Sequence, residues 1–393
     1  MKKLLILLFL ILLLLNCFHS EEHGYLSKDF LKKQLDFCAE QYKLMAEVCS
    51  DSLFPRTFED KKLVTSNSAL WCSGFFPGGL VYLYEHTGDT YFNDQILNRF
   101  KYLEKEKLNS TDHDIGFKIN CSFGNMLRVT GDTAKYKPII IEAANTLLTR
   151  YRPELGVIRS WNNWKKEWQC AVIIDNIMNL ELLLVATELS GDSTYFNAAI
   201  SHADRTIENH FREDNSSYHV LSYDTLSGKP HLKQTYQGFS DESAWARGQA
   251  WGLYGYTFMY KLTGYERYLD RAIKIAEFIL NHPNLPEDLI PYWDFDAETI
   301  PNAPRDASAA AITASALITL SELTKVQGDK YLRVANTIVK NLSSPKYRAK
   351  LGENGNFILK HSVGHLPGNS EVDVPLSYAD YYYIETLMKL DRM

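Results

Sequence analysis

Asp175 follows the apolar run Ala171-Val172-Ile173-Ile174 and opens another that ends in Leu182-Leu183-Leu184. Such neighbours disfavour the charged form of a carboxyl group, so its pKa is expected to rise toward the range a general acid needs near neutral pH. A second carboxylate, Asp114, stands beside His113 and before Gly116 in TDHDIGF at 111–117. It is expected to be the ionised partner, and a carboxyl pair with split pKa values is the usual equipment for sugar chemistry.

A third segment, SDESAWARGQAWGLYG at 240–255, sets Arg247 between Trp245 and Trp251 and includes Gly248, Gly252 and Gly255. Each glycine costs a helix interior about 1 kcal/mol against alanine. At this spacing they line one face and allow a neighbouring helix or a ligand to approach closely. Arg247 and Trp251 share another face. A guanidinium forks onto a carboxylate and an indole covers the apolar face of a sugar, so the set suits a sugar ring bearing a carboxylate. The structural alternative is a core tryptophan pair with a snorkelling arginine. His361 and His365 have an i, i+4 spacing, but no HExxH surrounds them and Gly364 lies between. No P-loop, dinucleotide fingerprint or GxSxG is present, so neither metal nor cofactor is expected.

The elements that must position these residues are punctuated by a recurring turn. YEHTGDTYF, RVTGDTAKY, TELSGDSTYF, KLTGYERYL and TKVQGDKYL place Gly88, Gly131, Gly191, Gly264 and Gly328 between apolar helical stretches. Glycine supplies the left-handed residue that stops a helix, and the following Asp helps start the next. A sixth unit joins the stretch YLSKDFLKKQLDFCAEQYKLMAEV near the N-terminus to YADYYYIETLMKL at the C-terminus. About twelve helices with almost no alternating strand pattern predict an all-α protein, an (α/α)6 toroid of six hairpins. Trp71, Asp114, Asp175, Arg247 and Asp306 each precede one of these glycines by 16 to 22 residues. Seventeen helical residues span about 25 Å, which puts the five at the far ends of parallel inner helices, on one rim. For Asp175 and Asp306 the competing reading is a plain helix N-cap.

The first residues, MKKLLILLFLILLLLNCFHS, read as a targeting segment: Lys2 and Lys3, then an apolar run from Leu4 to Leu15. A run of about twelve is shorter than the roughly 20 residues an ordinary membrane-spanning helix needs. Residues 1–20 are expected to be a signal peptide and 21–393 a single catalytic domain. Cys17 stands where a bacterial lipoprotein carries its lipidated cysteine, with Asn16 in place of the usual small residue. The protein is expected to be exported, periplasmic or lipid-anchored through Cys17. A net charge of −6 and the lack of a basic stripe argue against a nucleic-acid partner. The other five cysteines form no CxxC and suggest no disulfide scaffold.

HDIGF at 113–117, IDNIMNLELLL at 174–184, TYQGFSDESAWARGQAWGLYG at 235–255, RDASAAAI at 305–312 and YADYYYIETL at 378–387 occur in that order over nearly all the mature chain. Together they resemble the unsaturated glucuronyl hydrolases of glycoside hydrolase family 88. The resemblance implies an (α/α)6 barrel without metal that acts on oligosaccharides left by polysaccharide lyases, of glycosaminoglycan or ulvan type. It implies Asp114 and Asp175 as the catalytic pair and assigns substrate contacts to Thr235, Gln237, Trp245, Arg247 and Trp251. His219, in SSYHVLSYD, resembles the family's active-site histidine, and Trp161 aligns as a further sugar platform. The implied reaction protonates C4 of a 4,5-unsaturated uronic acid and adds water at C5, with Asp175 as acid and then base. A related hydrolase acting on unsaturated galacturonic acid, a sugar epimerase and a sugar-binding protein are the competing functions.

Overall fold

Four of the five turn glycines end a helix as expected. Gly88, Gly131, Gly191 and Gly264 have φ between 66° and 76°, and each N–H bonds the carbonyl four residues earlier. After three of them Asp89, Asp132 and Asp192 cap the next helix through their side chains. Gly328 behaves differently. It opens a helix instead of closing one, and a Cβ there would lie 2.5 Å from the Ser321 carbonyl oxygen. Close approach, not a left-handed backbone, selects glycine at that position.

The computed structural model describes residues 25–162 and 165–393; the expected leader at 1–20 and Cys17 lie outside the described residues. Among the described residues are twelve α-helices: α1 (Lys28–Val48), α2 (Phe75–Thr87), α3 (Thr90–Leu103), α4 (Asn125–Thr130), α5 (Thr133–Leu148), α6 (Asn176–Ser190), α7 (Ser193–Asn209), α8 (Ala246–Thr263), α9 (Glu266–Asn281), α10 (Ala307–Leu323), α11 (Gly328–Leu342) and α12 (Ser377–Arg392). A wide π-helical stretch, Gly116–Gly124, runs directly into α4. The even-numbered helices are the inner ones. The π-helical stretch leading into α4 packs between α2 and α6, α6 packs on α8, α8 on α10 and α10 on α12, and α12 returns to α2, which gives an (α/α)6 ring with the odd-numbered helices outside.

Composition follows position. Every residue of α10 from Ala307 to Leu320 is buried, as expected of a helix covered on all sides. The outer α11 buries Tyr331, Ala335, Ile338, Val339 and Leu342 and leaves Lys330, Arg333 and Lys340 in solvent. The terminal pairing holds as well: α1 packs on α12, and the Lys28 ammonium donates to the carbonyl of Asp391.

Short strands at the helix ends depart from the all-helical expectation. β1 (Cys170–Ile173), β2 (Val220–Tyr223) and β3 (Pro230–Gln234) form an antiparallel sheet with β2 in the middle. β4 (Ser362–His365) and β5 (Ser370–Val374) form a hairpin. All residues of β1 and β2 are buried, so these strands carry no alternation for a sequence reading to detect.

The glycine face of α8 receives the start of α6. A Cβ at position 255 would lie 2.5 Å from Ile177 Cγ2, and one at position 248 would meet Trp245 and Ile174 at 2.8 and 3.3 Å. Ile174 and Ile177 flank Asp175, so the tight seam sets where that carboxylate stands. Gly255→Ala is expected to destabilise the fold by about 1–3 kcal/mol through overpacking, seen as a lower denaturation midpoint in urea with an unchanged slope.

Candidate active site

All five rim residues lie at the N-terminal ends of inner helices. Trp71 precedes α2, Asp114 precedes the π-helical stretch, Asp175 and Asp306 occupy the positions before α6 and α10, and Arg247 is in the first turn of α8. Tyr378 completes the set on α12, within 4.9 Å of Trp71 between ring centres.

The N-cap reading separates the two aspartates it was offered for. Asp306 is a cap: its Oδ1 accepts from the N–H groups of Ser308 and Ala309. Asp175 makes no capping bond, and its buried Oδ2 has no protein partner. Its side chain is presented to something else.

The small sheet decides what faces it. β1 leads into Asp175, and the N–H of Ile174 bonds the carbonyl of His219, the residue before β2, at 3.0 Å. β3 leads into the Thr235-Tyr236-Gln237 turn, where the N–H groups of Tyr236 and Gln237 both donate to His219 Nδ1 at 3.0 Å. A nitrogen that accepts two amide bonds carries no hydrogen, so Nε2 carries it in the neutral ring. Burial holds the His219 pKa well below its usual value, which keeps the ring neutral at pH 7. Nε2–H then points toward Asp175 Oδ2 at 3.9 Å. That is too far for a hydrogen bond, and neither atom has another protein partner.

Asp114 is carried to the pair by the π-helical stretch. A Cβ at Gly116 would lie 2.6 Å from Asn179 Oδ1, and the N–H of Phe117 donates to that oxygen at 3.2 Å. Asn179 sits one turn after Asp175 on α6, so glycine and amide together bring the carboxylates into one electrostatic neighbourhood. His113 Nε2 lies 3.4 Å from Asp114 Oδ1, but burial lowers the His113 pKa to about 4, so this is no ion pair at neutral pH. Asp112 anchors the loop, accepting from the Asp114 N–H at 2.9 Å and from the buried Lys118 ammonium at 3.1 Å.

The order of the two acids differs from expectation. Burial pushes Asp175 up to about 6. It pushes Asp114 up to about 8, with the neighbouring Asp112 charge adding to the rise. The sequence suggested a raised Asp175 and an ionised Asp114, but apolar neighbours in sequence do not report burial in space. Of the two, Asp114 is the one held protonated near neutrality, and its charge is a lesser cause of the Asp175 rise, after burial.

Arg247 and the tryptophans also differ from the sequence picture in detail. The Arg247 guanidinium is buried, pairs with Asp306 at 3.1 Å and donates to the carbonyls of Val363 and Gly364. Its aromatic plates are Trp245 and Tyr378, at 4.6 and 5.3 Å, instead of Trp251. Trp251 is fully buried between Phe117 and Tyr382, beneath the rim. Trp245 tilts over His219 with ring centres 4.5 Å apart. Gln237 ties the turn to the β4 hairpin through its side-chain bond to Gly364 O at 3.0 Å, and Thr235 Oγ1 accepts from Gly238 N–H to hold the turn. Trp161 stands edge-on to His219 and stacks on Trp168. His361 and His365 lie on or beside the β4 hairpin and bond Asp373 and the Tyr236 carbonyl, respectively. Sequence reasoning passed over Asn179, Asp112, Trp168 and Tyr236; of these, only Asn179 had a local signal, its i+4 spacing from Asp175.

The Glycosyl Hydrolase Family 88 profile matches residues 48–392. The chain belongs to this family. Among family 88 relatives, an unsaturated glucuronyl hydrolase of Formosa agariphila is 47% identical over 323 residues, covering 82% of this chain and 80% of that one. A crystal structure of an unsaturated glucuronyl hydrolase specific for heparin superposes with a TM-score of 0.90 at 46% identity, covering 93% of this chain and 98% of the other. An Asp→Asn variant of the Streptococcus agalactiae unsaturated glucuronyl hydrolase, complexed with dGlcA-GalNAc6S, gives a TM-score of 0.80 at 26% identity over 93% and 92% of the two chains. The fold of this family 88 chain is thus that of the solved hydrolases.

Two buried carboxyls whose desolvation outweighs the nearby cations have a consequence for stability. A folded pKa of about 8 for Asp114 against roughly 3.9 unfolded means stability present at low pH is lost as pH rises through that window. Asp114→Asn, which cannot ionise, is expected to raise Tm by a few degrees at pH 8 and to change it little at pH 4, in thermal unfolding at both values.

Proposed function

We propose that this glycosidase removes a 4,5-unsaturated uronic acid from the non-reducing end of lyase-generated glycosaminoglycan oligosaccharides by hydrating the C4=C5 double bond. The observation that carries the reading is the neutral His219 Nε2–H directed at the unpartnered Asp175 Oδ2 across 3.9 Å. A donor and an acceptor so spaced can both engage one small oxygen-bearing group lying between them. Relatives named unsaturated glucuronyl hydrolase support the substrate class.

The double bond makes C5–O a vinyl ether, so protonation at C4 leaves an oxocarbenium-like centre at C5. Asp175, with its pKa raised to about 6, gives that proton and as carboxylate then takes one from the water that adds at C5. His219 Nε2–H orients the water oxygen. The resulting hemiketal opens to a ketone, and the exposed hemiacetal at C1 releases the remaining sugar. One water is consumed and no group attacks the anomeric carbon. Asp114 governs the charge of the pair through its proximity to Asp175. Trp161 and Trp245 cover the sugar, Gln237 and Thr235 hold the turn against His219, and Arg247 with Trp251 braces the rim.

We further propose that residues 1–20 direct export and that Cys17 is the point of lipid attachment. Cys17→Ser is expected to turn a membrane-associated form into a released one on fractionation, and an unchanged membrane fraction counts against the anchor.

The reaction is tested by following the ultraviolet absorbance of the conjugated enol across a panel of unsaturated disaccharides. Wild type is expected to abolish the absorbance of at least one, and Asp175→Asn to be slower by about 10²–10⁴-fold, the contribution of a placed acid–base group. Retention of the absorbance across the whole panel would overturn the reading in favour of an epimerase or a binding protein.

A further inference from the structure

Beyond His219, the site continues from Trp161 into an aromatic wall that takes no part in the proton transfers. Trp161 stacks on Trp168 with centroids 5.6 Å apart and planes 21° from parallel. Tyr236 stands edge-on to both, at 5.5 and 6.4 Å, and its other side meets His365 at 4.6 Å. The wall begins one ring away from His219, within reach of a sugar attached to the unsaturated uronic acid in the proposed reaction.

The Lys165 ammonium sits at this wall, 4.7 Å from the Trp168 ring centre and 5.9 Å from that of Tyr236. Other cations around the mouth are spoken for. Arg247 pairs with Asp306, Lys118 with Asp112, and Arg56 with Glu371. Arg150 is occupied by the carbonyls of Arg159, Ser110 and Ser160. Lys165 has no carboxylate within ion-pair distance among the described residues and is only partly buried. Its two ring contacts hold the head group in place without neutralising it. The facing hairpin offers carboxylates, Glu371 and Asp373, each already matched to Arg56 or His361.

Building on the proposed hydration of unsaturated uronates, we propose that Lys165 reads an anionic group, a sulfate ester or a carboxylate, on the sugar that leaves. The aromatic wall supplies sugar contact of any charge, and the ammonium supplies the discrimination. The enzyme is therefore selective for unsaturated disaccharides whose second sugar is charged, and Lys165 is a specificity-determining residue outside the acid–base pair.

The test compares wild type, Lys165→Ala and Lys165→Arg on three unsaturated disaccharides: one uncharged on the second sugar, one O-sulfated there and one N-sulfated. Lys165→Ala is expected to lose about tenfold in kcat/KM on a sulfated member, the scale of one charge-assisted hydrogen bond, and less than twofold on the uncharged one. Lys165→Arg keeps the charge and is expected to keep most of the preference. Equal loss on all three substrates, or no loss on any, overturns the proposal. Calorimetric binding of the same disaccharides to Asp175→Asn, with and without Lys165→Ala, separates the two claims. If wild type leaves every double bond intact, the hydration reading fails, and a charge-selective drop in affinity on removing Lys165 still decides this one.

Discussion

Two backbone amides converging on one ring nitrogen govern the chemistry of this site. Because Tyr236 and Gln237 both donate to His219 Nδ1, the ring has one neutral tautomer available and its remaining hydrogen faces Asp175. A histidine free to exchange tautomers could present a lone pair there, and a protonated one would simply pair with the carboxylate. The three-stranded sheet serves this constraint. It registers Ile173 against Val220 and Val220 against Gln234, which brings the entry to α6, the histidine and the amide turn to one place.

The ring of helices contributes burial and exact spacing of chain segments. The rim set occupies the N-terminal ends of the inner helices. Glycines on α8 and before α4 let Ile177 and Asn179 come close enough to fix both carboxylates. The same enclosure raises both acids, so ionising them costs the folded state stability as pH rises. Such a cost is common where a carboxyl must donate near neutrality.

Much of this was legible in the sequence, for physical reasons that differ by residue. Gly88, Gly131, Gly191 and Gly264 announce helix ends because a left-handed residue is a local requirement, and counting back from them locates the rim. Gly328 misled because a close contact can select glycine as firmly as a positive φ. β1 and β2 were invisible because they are buried on both faces and four residues long. The engagement of Arg247 by Asp306 joins residues 59 positions apart, and the higher pKa of Asp114 depends on Asp112 and burial together. Neither can be read from local pattern. Family resemblance pointed to Asp114 and Asp175 as the proposed pair, while the order in which they titrate follows from their packing.

The central claim is that a proton is delivered to C4 and water to C5, and solvent labelling tests it most directly. A wild-type reaction in deuterium oxide, quenched early and examined by proton NMR, should yield a released uronic-acid product with a single deuterium on C4. Loss of the enol absorbance should keep pace with release of the leaving sugar. A product without carbon-bound deuterium, released with its double bond intact, would contradict the account and point to direct attack at the anomeric carbon.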